Sequence, residues 1–134
     1  MTRILVVDDE VQIVEMYRTM LEVNGHEVVG TAQNGQEAVA AYDAGSPEPE
    51  VVQMDFRMPV KDGLDATREI VAKHPDAKVV IVSADATVGP NCKPAGAAGY
   101  LEKPVPMVAM METITLVTSG SPDFVYNVRD LTPG

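Results

Sequence analysis

Residues 4–10 read Ile4-Leu5-Val6-Val7-Asp8-Asp9-Glu10, four aliphatic residues followed by three acids. An unbroken aliphatic run of this length is typical of a strand buried on both faces, as in a parallel sheet. Similar runs predict further strands over 26–31, 50–54, 79–82 and 99–101. The first run and its acids therefore predict a buried parallel strand that ends in carboxylates.

Segments with helical spacing separate these strands. The first begins at Val11 and ends at the helix stop Asn24-Gly25, and others cover 36–42, 63–73 and 107–117. Alternating strands and helices predict an α/β fold, a doubly wound parallel sheet with helices on both faces. In such sheets ligands bind beyond the carboxyl ends of the strands.

Composition narrows the function classes. The chain has 134 residues, with 20 acidic and 10 basic side chains, a net charge of −10. This balance argues against a nucleic-acid-binding domain and against adhesion to anionic membranes. The single cysteine, Cys92, excludes an internal disulfide, and no apolar run is long enough for a membrane span or a signal peptide. We therefore expect a single cytoplasmic domain.

Polar residues follow the predicted strands at one edge of the sheet. These residues are Asp8, Asp9, Asp55, Ser83 and Lys103. Clustered carboxylates repel one another unless a cation neutralises them, and Mg²⁺ prefers such oxygen ligands. Asp55 can act as a nucleophile that forms an aspartyl phosphate, with Lys103 as a second cation and Ser83 as a hydrogen-bond donor. The alternatives are helix capping for Asp8 and Asp9, a turn residue at Ser83 and a solvated surface lysine at Lys103.

At these residues the chain resembles the receiver domain of two-component response regulators, the CheY-like family. The matching segments are Ile4 to Glu10, Met54-Asp55, Met58-Pro59, Asp62-Gly63, Val82-Ser83-Ala84 and Gly99 to Pro104. The resemblance covers residues 2–118 and implies a flavodoxin-like sheet of five strands in the order 2-1-3-4-5. It predicts a receiver domain over residues 1–118 and a C-terminal tail over 119–134.

The resemblance also implies a role for each matching residue. Asp55 accepts a phosphoryl group from a histidine kinase or phosphotransfer protein, and Ser83 and Lys103 contact that group. Asp8, Asp9, Asp55 and the backbone carbonyl of Arg57 hold Mg²⁺. Tyr100 matches an aromatic position that moves inward with the switch, the alternative being a half-buried strand aromatic. Lys103-Pro104 matches a cis peptide bond.

Arg57 and Asp85 lie two positions after Asp55 and Ser83. In receivers these positions flank the path of the attacking water. We hypothesise that their opposite charges pair across the site and prolong the life of the phosphoryl group. The alternative is two solvated charges.

Two segments depart from the receiver pattern. Residues 87–99 contain Gly89-Pro90, Pro94 and Gly96, which disfavour a helix, so we expect a fourth helix that is short, distorted or replaced by a loop. Residues 119–134 show no clear period, and Phe124 to Tyr126 fit either a short strand or a docking patch.

The sequence therefore predicts a single-domain response regulator that signals by a conformational switch and is not a turnover enzyme. Its predicted partners are a kinase or phosphotransfer protein and a downstream protein target, and its predicted state is a monomer or weak dimer. One alternative is a pseudo-receiver that binds partners without being phosphorylated. Another is an aspartate-nucleophile phosphatase, which Arg57 disfavours because that class places a second acid there. The chain could also be a piece of a longer protein.

Overall fold

The computed structural model describes residues 1–45 and 48–127 as a single sheet with helices on both faces. The strands are β1 (Arg3–Val7), β2 (Glu27–Ala32), β3 (Val51–Asp55), β4 (Val79–Ser83), β5 (Gly99–Glu102) and β6 (Val125–Tyr126). The helices are α1 (Val11–Val23), α2 (Gly35–Ala44), α3 (Gly63–Lys73), α4 (Gly89–Cys92) and α5 (Met107–Val117).

All neighbouring strands run parallel, in the order β2-β1-β3-β4-β5-β6. The predicted flavodoxin-like order of five strands is confirmed, and β6 adds a sixth strand beside β5. This strand lies in the segment predicted as a tail, where a short strand was one of the alternatives. Residues 128–134 of that segment lie outside the described residues, and the domain boundary at residue 118 stays a prediction.

The aliphatic strands supply two separate apolar layers because successive side chains point to opposite faces. Along β1, Leu5 and Val7 belong to the layer with α2, α3 and α4, whereas Ile4 and Val6 belong to the layer with α1 and α5. All four side chains are buried. Burial on both faces explains why the strand has no polar alternation, as the sequence indicated.

The fourth helix is short, as predicted. A 3₁₀ turn over Ala86–Val88 leads directly into α4, which has four residues. Pro90 is tolerated because it lies in the first turn, where its missing N–H would have no helical partner. Val88 and Cys92 anchor the segment in the core, and burial raises the pKa of the Cys92 thiol to about 11. The thiol is therefore an apolar filler rather than a nucleophile.

The loop between β3 and α3 returns closely to the end of β3. The N–H of Gly63 donates to the carbonyl of Phe56 (2.9 Å), and the Asp62 carboxylate caps α3 by accepting from the N–H of Asp65 (2.9 Å). A Cβ atom at Gly63 would overlap the carbonyl oxygen of Asp55. Glycine at this position therefore allows the loop to hold Asp55 in place.

We predict that Gly63→Ala destabilises the protein by about 1–3 kcal/mol, although alanine favours helices, because the added methyl must displace the backbone of Asp55. The measurement is urea unfolding. Ala72→Gly, at an exposed position of the same helix, is the control and should cost about 1 kcal/mol from helix propensity alone. A Gly63→Ala protein more stable than the parent would contradict the close approach.

Candidate functional site

Three carboxylates meet at the carboxyl edge of the sheet. Asp55 ends β3, and Asp8 and Asp9 directly follow β1. One oxygen atom from each of the three lies within 4.8 Å of the others. Asp8 is 2% exposed and Asp55 is 7% exposed, whereas Asp9 faces solvent. The structure thus brings together the three acids that the sequence predicted at this edge.

Helix capping does not explain the pair Asp8 and Asp9. Asp8 Oδ1 accepts a hydrogen bond from the N–H of Glu10 (3.0 Å), which orders the turn before α1. Glu10 is the N-cap residue of α1, and its side chain makes no capping hydrogen bond within the described residues. The cluster of Asp8, Asp9 and Asp55 therefore has to be explained by another role.

Lys103 places a positive charge between two of the acids. Its Nζ lies 3.0 Å from Asp55 Oδ1 and 3.3 Å from Asp8 Oδ2. The backbone N–H of Lys103 donates to the carbonyl of Ser83 (2.8 Å), which ties the end of β5 to the end of β4. The following peptide bond to Pro104 is cis, as the resemblance implied. The alternative of a solvated surface lysine is inconsistent with these contacts.

Ser83 is buried at the end of β4, with 2% of its surface exposed. Its Oγ accepts a hydrogen bond from the N–H of Asp85 (2.9 Å). A hydroxyl has one proton to donate in addition to its acceptor lone pairs. That geometry leaves Ser83 able to donate its proton toward a group bound at Asp55.

Burial and charge together set the ionisation of the site. Burial, reinforced by the neighbouring charges of Asp8 and Asp9, raises the pKa of Asp55 to about 6, although the hydrogen bond from Lys103 acts in the opposite direction. Burial alone would lower the pKa of Lys103, but the hydrogen bond and charge of Asp55 outweigh it and raise that pKa. The side chain of Lys103 is therefore positively charged at neutral pH.

The donor set fits a hard divalent cation. All three side chains offer carboxylate oxygens, the ligand type that Mg²⁺ and Ca²⁺ prefer. The three carboxylates carry three negative charges, and the ammonium of Lys103 neutralises one of them. A divalent cation balances the two that remain. Coordination by the backbone carbonyl of Arg57 stays a prediction.

An open cleft of about 420 Å³ adjoins the acids on the side of Asp9. Its walls come from the start of α1 and from the β3–α3 loop: Asp9, Phe56, Arg57, Met58, Pro59 and Asp62. The Arg57 guanidinium, on a side chain that is 75% exposed, reaches Asp85 Oδ2 at 3.0 Å. The predicted pairing of Arg57 with Asp85 is therefore present, and its effect on phosphoryl lifetime stays a prediction.

Two tyrosines lie close to the charged cluster. Tyr100 on β5 is fully buried, and its hydroxyl donates to the carbonyl of Asp85 at 3.5 Å. Tyr17 on α1 is also buried, and its pKa is raised by burial and influenced by the charges of Lys103 and Asp8. The sequence pattern predicts that Tyr17 lies on a helix but carries no signal that this face of α1 lies near Lys103. Its position is the feature of the site that sequence reasoning missed.

The family described as response regulator receiver domain matches residues 4–115. The chain belongs to this family. The matched range contains the three acids, Ser83 and Lys103, and it ends within α5.

Related proteins align with most of this chain. It is 38% identical over 123 residues to response regulator GacA of Pseudomonas viridiflava, covering 90% of this chain and 56% of GacA. It is 36% identical over 119 residues to chemotaxis protein CheY of Thermotoga maritima, covering 87% of this chain and 97% of CheY. The chain thus spans about half the length of GacA.

The fold also matches solved structures of receivers. Response regulator protein TrrA of Thermotoga maritima, solved in complex with Mg²⁺-BeF, has a TM-score of 0.80 and 32% identity. The match covers 87% of this chain and 99% of TrrA.

No helix in the described part of the chain is long and apolar enough to cross a membrane.

We predict that Asp55→Asn stabilises the chelator-treated protein at pH 7 by about 1–2 kcal/mol, less than the full pKa shift represents because water and neighbouring groups relax around the buried charge. The folded pKa of about 6 lies above the ordinary aspartate pKa of 3.8, so ionisation opposes folding. That penalty is absent below pH 4 and grows as the pH rises through 6. Thermal unfolding of both proteins at pH 4 and pH 7 measures the difference. An equal effect at both pH values would argue against a raised pKa.

Proposed function

We propose that this chain is the phosphorylation-dependent switch of a two-component system, in which Asp55 accepts a phosphoryl group from a histidine kinase or phosphotransfer protein. The observation that carries the proposal is the position of Lys103 Nζ, 3.0 Å from Asp55 Oδ1 inside a cluster of three carboxylates. A nucleophilic carboxylate beside a fixed ammonium is the arrangement that phosphoryl transfer requires.

The transfer step uses residues already in position. An oxygen of Asp55 attacks the phosphorus, and the bond from phosphorus to the donor nitrogen breaks as the electron pair leaves with the donor. Lys103 stabilises the charge on the phosphoryl oxygens, and the hydroxyl of Ser83 donates a hydrogen bond to one of these oxygens. Asp8, Asp9, Asp55 and the backbone carbonyl of Arg57 would hold Mg²⁺, and the bound ion would supply the remaining positive charge.

The resulting aspartyl phosphate signals by a change in conformation. It adds nearly two negative charges and strong acceptor oxygens at the end of β3. Ser83 and Lys103 are attracted to these oxygens, and Ser83 is linked through Asp85 to Tyr100. The charge change therefore biases the surface formed by α4, β5 and α5, which a downstream protein reads.

The same residues argue against the other two functions. A pseudo-receiver has no use for a buried nucleophile with its lysine, and this chain has both. A phosphatase of the aspartate-nucleophile class places an acid where this chain has Arg57, whose guanidinium is engaged by Asp85. We place the protein in the cytoplasm as a monomer or weak dimer that is not a turnover enzyme, without nucleic-acid or membrane partners.

Incubation with acetyl phosphate and Mg²⁺ should add a single phosphoryl group, detected by intact mass. Asp55→Asn should abolish the adduct because it removes the nucleophile. Asp76→Asn, an exposed acid at the opposite end of the sheet, is the matched control and should keep it. No adduct on the parent protein would favour the pseudo-receiver, and hydrolysis of external phosphoesters would favour the phosphatase.

The pair of Arg57 and Asp85 should slow the loss of the phosphoryl group. We expect the double variant Arg57→Ala, Asp85→Ala to dephosphorylate about threefold to tenfold faster, a change of about 0.7–1.4 kcal/mol in the barrier, because water reaches the phosphorus more easily. Decay of the adduct after removal of the donor gives the rate. Arg68→Ala, Asp65→Ala removes an exposed pair of the same residue types on α3 and is the control. An unchanged rate in the first double variant would remove the hypothesis.

A further inference from the structure

The C-terminal strand β6 is held on the edge of β5 by backbone and side-chain hydrogen bonds. The N–H of Val125 donates to Ala98 O (3.0 Å), and the N–H of Asn127 donates to Tyr100 O (2.6 Å). In the opposite direction, the N–H of Glu102 donates to Asn127 Oδ1 (3.1 Å). The contacts run the length of β5, so residues 124–127 form a defined docked segment, which we call the C-terminal latch.

Two glycines make room for the latch. A Cβ atom at Gly89 would lie 2.7 Å from Tyr126 Oη, and one at Gly99 would lie 3.0 Å from Val125 O. Gly89 has φ −47 and ψ −51, a conformation open to any residue, so its backbone does not require glycine. The missing side chain at the start of α4 is therefore explained by the space that Tyr126 occupies.

The latch covers the aromatic residue that connects with the phosphorylation site. The rings of Tyr126 and Tyr100 lie 5.5 Å apart, and Phe124 extends the contact at 6.4 Å from Tyr126. Tyr100 is fully buried, whereas Tyr126 is 55% exposed. Tyr126 is thus the outer side chain of a tilted aromatic pair whose inner member contacts the carbonyl of Asp85.

The end of β5 is shared by the latch and the site. Lys103 bonds Asp55 through its side chain and Ser83 through its backbone, and the preceding residue, Glu102, donates its N–H to Asn127. A phosphoryl group on Asp55 offers Lys103 stronger acceptor oxygens than the carboxylates that already hold it, and so holds the end of β5 more firmly. Two events that order the same segment assist each other, because the second costs less conformational entropy.

We propose that the C-terminal latch is a regulatory element coupled to the phosphorylation site: phosphorylation of Asp55 tightens its docking on β5 and α4, and its docking favours phosphorylation. This inference rests on the proposed function. It assigns residues 124–127 to the switch itself, so that a partner reading the β5 edge meets Tyr126 and Phe124 rather than the bare strand.

Hydrogen exchange on the full chain tests the coupling, with beryllofluoride and Mg²⁺ as the phosphoryl mimic. We expect the amides of Val125 and Asn127 to exchange about fivefold more slowly with the mimic bound, at the low end of couplings between sites. Mimic binding is followed separately by the rise in melting temperature. Binding with unchanged or faster exchange overturns the coupling alone, whereas no binding overturns the proposed function and the coupling with it.

Variants test the reverse direction, which thermodynamic linkage requires to be equal. Tyr126→Ala should raise the dissociation constant for the mimic about fivefold, and Gly89→Ala should do the same by displacing the ring. Tyr126→Phe keeps the ring and is the matched control. Tyr126 is exposed, whereas Gly89 is buried beneath it, so circular dichroism verifies that each variant is folded. Unaltered mimic binding by folded Tyr126→Ala would overturn the proposal.

Discussion

The ion pairs of Lys103 with Asp8 and Asp55 are the interaction on which the site depends. Both carboxylates are nearly buried, and a third acid stands within 4.8 Å, in a chain whose net charge is already −10. Removing such charges from water is costly unless they are paired at close range. The lysine lowers this cost without removing it, as the raised pKa of Asp55 shows. What remains is an excess of negative charge that a divalent cation can balance.

Much of this site could be predicted because a parallel sheet brings the carboxyl ends of its strands to one edge. Asp55 and Ser83 each stand last in an aliphatic strand, and the register pairs Asp55 with Val82 and Ser83 with Glu102. Once the order of the strands is known, the placement of Asp55 and Ser83 at this edge follows from it. The sequence could not predict which of two adjacent acids is buried, since both follow the same strand. Asp8 turns inward to the lysine and Asp9 outward to the cleft.

The C-terminal latch shows the limit of reasoning from local pattern. A strand of two residues, Val125–Tyr126, is too short to display alternation, and its existence depends on contacts with residues far away in the chain. Gly89 was interpreted as a residue that weakens the fourth helix, which is correct but incomplete. The structure adds that a side chain at that position would meet Tyr126. Sequence showed that the segment was irregular, and only the tertiary contact gives the reason.

The proposed phosphorylation site and the proposed partner surface lie in different parts of this molecule, so a chain of contacts has to connect them. Interactions between charges weaken with distance, so an added phosphoryl charge acts most strongly on the groups nearest to it. Lys103 is such a group. Its ammonium lies among the acids, and its backbone N–H bonds Ser83 and so holds the end of β5 against β4. A change in what the ammonium binds therefore becomes a change in how firmly a strand end is held. Because Asn127 of the C-terminal latch bonds Glu102 at that same strand end, a local change of charge has a structural consequence at the edge of the sheet.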